Sequence, residues 1–191
     1  MLPVQYTNLS NQILVIAAGR AARKLMLEWI AAFAIQGAVT VVDGGNHFNV
    51  YHIAKAIRRK TVKLDMALAN IHVSRSFSCY QMTALLEEMK PAAAPIFILD
   101  LLFSFYDEDV KNEESQRLLE KSILSLQRLS ETTPVVISTR GLSDKPERQN
   151  LMDMLTDIAA AVWQGEEPAH QTEAPLTLPW GEVENQVDGG K

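Results

Sequence analysis

Six short runs of apolar, largely β-branched residues alternate with helix-length segments: 12–17 (QILVIA), 38–43 (AVTVVD), 70–73 (NIHV), 95–101 (PIFILDL), 134–138 (PVVIS) and 159–164 (AAAVWQ). No other feature constrains the fold as strongly. Strands separated by helices are joined by right-handed crossovers and so lie parallel. Several runs are apolar on both faces, as strands covered by helices on both sides must be. The expectation is an α/β fold of three layers with a mainly parallel central sheet. Helices are expected over 21–36, 48–60, 78–90, 110–130 and 147–158. In the fourth, Leu118, Leu119, Ile123, Leu126 and Leu129 form one stripe at helical spacing. Glu113 and Glu114, with Asp109 before them, suit the positive end of its dipole. Gly37 stops the first helix, and Pro91 and Pro95 bracket the loop into the fourth strand.

A length of 191 residues fits one domain. Residues 1–165 are read as the core. Residues 166–191 are read as an acidic tail rich in Pro and Gly, in which APLTLPW is expected to form a β-hairpin with 159–164. Trp163 is expected in the core, and Trp180 as a tucked-in anchor or a partner contact. The single cysteine, Cys79, excludes an internal disulfide framework and a Cys-cluster zinc site. No apolar run is long enough for a membrane span, and the N-terminus has no signal-peptide pattern, so an intracellular protein without a membrane partner is expected. The net charge of −5 is divided unevenly, +6 over residues 1–75 and −11 over the rest. The acidity argues against strong sequence-independent DNA binding by the chain alone. The basic half leaves room for an anion-binding face.

The first strand leads into AGRAARKL and then a long apolar helix, the strand–turn–helix frame of a phosphate-binding P-loop. In the G-x-x-x-x-G-K-[ST] register Lys24 stands at the lysine position. Ala18 and Arg23 occupy the glycine positions, and Leu25 replaces the Ser/Thr. A P-loop wraps phosphate in backbone N–H groups, and its glycines permit that approach. Here side chains stand where phosphate would lie.

Further along come VTVVDGGNHF, a basic helix ending AIRRK, then NIHVSRSFSCYQMTALL, IFILDLLFSFYDED and TPVVISTRG. In this order the segments resemble the RecA-like recombinase family, and its archaeal and eukaryotic branch most. NIHVSRSFSCYQMTALL carries the resemblance best: Asn70, Ile71, Arg75, Leu85 and Leu86 match the pattern N-I-x-x-A-R-A-x-x-x-x-x-Q-x-x-L-L, with Ser74 and Ser76 at its Ala positions and Gln81 one residue before its Gln. It extends over about residues 12–165; the family's N-terminal helical domain has no counterpart here. The resemblance implies a P-loop-NTPase-type fold, in which Lys24 reaches the β/γ-phosphates and Asp100 is the Walker B-like acid that holds the Mg²⁺ water shell. Leu25 then stands in place of the Mg²⁺-binding hydroxyl, Gly45 in place of the catalytic glutamate, and Thr139 and Arg140 in place of an Asn-Gln pair that senses the γ-phosphate. The loop RGLSDKPERQN is short where the family carries a glycine-rich DNA-binding loop.

The reading is a catalytically degenerate paralogue, a pseudo-ATPase with no catalytic residue. It would act as an accessory subunit in DNA repair or recombination and bind another RecA-like or repair protein in a homo- or hetero-oligomer, with DNA as a further candidate partner. No cofactor is expected. The enzyme alternative is a weak ATPase binding ATP and Mg²⁺ through Lys24, Arg140 and Asp100, and Asp100 is the only, weak, metal candidate. Arg20, Arg23, Lys24 and Arg140 are the nucleotide or anion candidates. Arg58, Arg59, Lys60 and Lys63 are candidates for nucleic-acid backbone contact, or a solvated face. Asp43, Asn46 and His47, with Asp107, Glu108 and Asp109, raise a metal-dependent nuclease as a lesser alternative. Phe103, Phe105 and Tyr106 read as packing or as a partner surface.

Overall fold

The computed structural model describes residues 12–140 and 148–164. Strands β1 (Ile13–Ala17), β2 (Val39–Asp43), β3 (Ile71–Arg75), β4 (Ile96–Leu99), β5 (Val135–Thr139) and β6 (Ala161–Gln164) form one sheet in the order β3-β2-β4-β5-β1-β6. Every neighbouring pair is parallel. Helices α1 (Gly19–Ala34), α2 (Val50–Arg58), α3 (Leu64–Ala69), α4 (Cys79–Glu88), α5 (Asn112–Ser130) and α6 (Gln149–Asp157) cover it.

Strand alternation divides the interior in two. Leu14, Ile16, Val39, Val41, Phe97, Leu99 and Val136 point to one face and pack on α1, α2 and α3. Ile13, Val15, Val42, Ile96, Ile98, Val135 and Ile137 point to the other and pack on α4, α5 and α6. The three-layer α/β expectation is therefore met, with a wholly parallel sheet. α1 buries Ala22, Met26, Trp29, Ile30 and Ala34 at helical spacing. α5 buries Leu118, Leu119, Leu126 and Leu129, and its stripe is the one legible in sequence. Arg128 donates from Nη2 to the carbonyls of Leu86, Glu87 and Met89 and so satisfies the end of α4.

Three elements differ from expectation. β4 stops at Leu99, because Asp100 turns into the left-handed region (φ 55°, ψ 56°) and opens a 3₁₀ segment, Leu101–Tyr106. β3 runs on to Arg75, which pairs in register with Asp43. α3 was not expected, since its six residues are too few to show a period. Trp163 is not in the core: among the described residues β6 is an edge strand, and Trp163 keeps 40% of its surface. The segment expected to form the hairpin, and Trp180 with it, lies outside the described residues. No helix among the described residues is long and apolar enough to cross a membrane.

Phe97 is fully buried in the third strand position and meets Phe33 of α1 edge to face, centroids 5.6 Å apart. Phe97→Ala is expected to destabilise by about 3–5 kcal/mol. A double-mutant cycle with Phe33→Ala, read by denaturant unfolding, should give a coupling of about 0.5–1.5 kcal/mol.

Candidate functional site

The carboxyl ends of parallel strands are where open α/β sheets place ligands. Here β1 delivers Ala18 and Gly19, β2 the turn 44–47, β4 Asp100 and β5 Arg140 to one crevice.

No loop separates β1 from α1. Ala18 follows the last strand residue and already accepts from the N–H groups of Ala21 and Ala22 through its carbonyl. Gly19 opens the helix at φ 47°, a conformation that a side chain disfavours. Arg23 is thereby aimed into the crevice. Its Nη2 donates to His47 Nε2 at 2.8 Å. Arg140 enters from the end of β5, donating from Nε to Asp100 Oδ2 (2.8 Å) and from Nη2 to His47 Nε2 (3.2 Å). Its guanidinium also lies over the Phe103 ring, 4.5 Å from the centroid. Phe103 is thus a half-exposed platform for Arg140, whereas Phe105 is core.

Guanidinium groups only donate, so His47 Nε2 accepts and the ring proton sits on Nδ1. The imidazole is held neutral: burial is the main cause of its lowered pKa, and the Arg23 charge adds to it. Asp100 Oδ2 is 3.2 Å from the same nitrogen and, like the Asp43 carboxylate, favours a charged ring, but burial together with Arg23 and Arg140 leaves the pKa lowered. The space left between Gly19, Arg23, His47, Asp100, Thr139 and Arg140 is about 10 Å³, close to what one water needs.

Asp43 holds the turn that presents His47. It is fully buried, and its carboxylate accepts from the N–H groups of His47 (2.8 Å) and Phe48 (3.0 Å) and from Arg75 Nε (3.2 Å). A Cβ on Gly45 would stand 2.8 Å from Asp100 Cβ and 2.9 Å from its Oδ2, so this position admits glycine alone without a rearrangement. A glutamate there could not be accommodated beside Asp100 as it stands. Asp100 donates its own N–H to Ser138 Oγ at 3.0 Å, which fixes its left-handed backbone.

The candidate residues fall into separate places. Arg23, Asp100 and Arg140 meet in the crevice. Lys24 does not reach it. Exposed on the second turn of α1, Lys24 lines a different cleft together with Arg20. Arg58, Arg59, Lys60 and Lys63 lie where α2 ends and α3 begins, at the amino edge of the sheet. There Thr61 and Lys63 share a hollow with Ile35 and Asn70. The nuclease set does not assemble: the Asp43 oxygens are engaged as described. Among the described residues no group of three or more His, Cys, Asp or Glu is placed to hold a metal. His47 was weighed in sequence only as a metal ligand, and Arg75 only within a motif; what joins both to Asp43 is contact between strands.

No protein-family model and no curated protein matches the chain.

Because the His47 pKa is lowered in the folded state, the unfolded chain binds more protons once the pH falls near the ordinary value of 6.5. This contribution to stability is full above that pH and declines as pH falls through it. Unfolding midpoints measured between pH 7.5 and 5 should fall with acidification, and less so in His47→Gln. Gly45→Ala is expected to cost about 1–3 kcal/mol by overpacking. Asp43→Ala, which strands two amides and a guanidinium, should cost about 2–3 kcal/mol. Denaturant unfolding checks both.

Proposed function

We propose that this chain is a catalytically degenerate RecA-like recombinase paralogue, an accessory subunit that works by binding another RecA-like or repair protein inside the cell. The observation that carries the reading is the state of the crevice. Where a P-loop would cradle phosphate, the strand passes directly into the helix and Arg23, His47 and Arg140 fill the space. Asp100, the acid at the Walker B-like position, is committed to Arg140. Gly45, at the place of the family's water-activating glutamate, has no room for an acid. These features support a fold released from nucleotide hydrolysis. The family reading itself rests on sequence motifs. An accessory role needs only the fold and a surface, and fold by itself does not specify a function.

The weak-ATPase reading has less support, since Lys24 lies outside the crevice. Calorimetry with ATP and Mg²⁺, and turnover with and without single-stranded DNA, separate the two. No turnover above background is expected. Turnover abolished by Lys24→Ala or Asp100→Asn would overturn the proposal. For the partner, affinity purification from the native source is expected to recover a RecA-like or repair protein, and its repeated absence would count against this role.

A further inference from the structure

A second cavity opens beside the closed crevice, on the face where α1 and α2 meet, with Arg23 forming part of the wall of both. Its volume is about 380 Å³. Arg20, Arg23, Lys24, Asn46 and His52 contribute the polar lining, and no carboxylate is among the lining residues.

The charges here are placed against local electrostatics. Arg20, Arg23 and Lys24 occupy the first two turns of α1, the positive end of its dipole, and that first turn carries no acid. α2 brings its own N-terminus to the same cavity through Asn49, whose side chain caps the His52 N–H; its first turn also lacks an acid. Three cations from the side of α1 thus face the N-terminus of α2, with no carboxylate among the lining residues. Arg23 spends Nη2 on His47, and its buried Nε has no partner. A helix stabilised for its own sake would carry Asp or Glu at these positions.

We propose that the α1–α2 cleft is a binding site for a small phosphate-bearing anion. Arg20 and Lys24 are exposed at its mouth and close on the ligand with charge-assisted hydrogen bonds, while Arg23 presents a fixed guanidinium from the wall. A phosphate dianion matches this donor set better than a carboxylate, having more charge and three acceptor oxygens. The site is independent of the accessory-subunit reading, and it requires no nucleoside pocket.

Inorganic phosphate and pyrophosphate are the probes, titrated by calorimetry and thermal shift against sodium chloride at equal ionic strength. Both are expected to bind and to raise the melting temperature. The double variant Arg20→Ala/Lys24→Ala, altered only at exposed positions, should weaken pyrophosphate binding at least about tenfold. Arg20→Glu/Lys24→Glu should abolish binding and raise the melting temperature of the ligand-free protein, because it places acids at the helix N-terminus. A purely structural role for the two cations would instead make that reversal destabilising. The proposal is overturned by any of three results: no binding at millimolar pyrophosphate, affinity unchanged in the double variant, or ATP bound far more tightly than pyrophosphate. Only the last of these would also unsettle the accessory-subunit reading, so the two can fail separately.

Discussion

Arg140 and Arg23 meet at the same imidazole nitrogen, and the carboxyl edge of the sheet is organised around that meeting. The Arg23 contact depends on the direct junction of β1 and α1, since an open loop there would shift the helix that carries Arg23. The direct passage from Ala17 through Ala18 and Gly19 into helix is therefore what allows the crevice to close. His47 must be neutral to accept from two cations, and burial keeps it so. Asp100 supplies the carboxylate that pairs with Arg140, whose side chain stays half-exposed.

The support beneath this cluster lies one strand over. Asp43 ends β2, and three donors tie its carboxylate to the following turn and to β3. The turn is short and tightly held, and the absence of a side chain at Gly45 lets it pass against Asp100. Asp43 and Asp100 thus end neighbouring strands with different tasks. The first shapes backbone and the second balances charge. Both are oriented for those internal duties, so an acid at a strand end is weak evidence of metal chemistry until the partners of its oxygens are known.

How much was legible in the sequence follows from the range of each interaction. Strand and helix positions are local and periodic, so β1 to β6 and five of the six α-helices among the described residues could be read, and α3 was lost because six residues show no period. The filling of the crevice was legible in part: the departures from a P-loop pattern were visible, whereas the identity of the groups that fill the space was not. Arg23 and His47 are 24 residues apart, and Arg140 is 93 from His47; only the parallel sheet order brings them together. The register fixed by motif matching put Lys24 at the phosphate. In the helix, one residue is a rotation of about 100°, which turns Arg23 inward and Lys24 outward. Trp163 was misplaced because an apolar strand does not reveal whether a further strand lies beside it.

The two basic clusters show why position matters more than composition. Lys55 and Arg58 occupy the last turn of α2, with Arg59 at its C-cap and Lys60 just beyond, where cations offset the negative end of the dipole. Solvation and the dipole account for them without a ligand. Arg20, Arg23 and Lys24 carry the same charge at the opposite kind of terminus, where dipole and mutual repulsion both act against them. The cluster nearer in sequence to a nucleic-acid pattern is the one that its own helix explains. The cluster at the start of α1 is the one its helix does not explain.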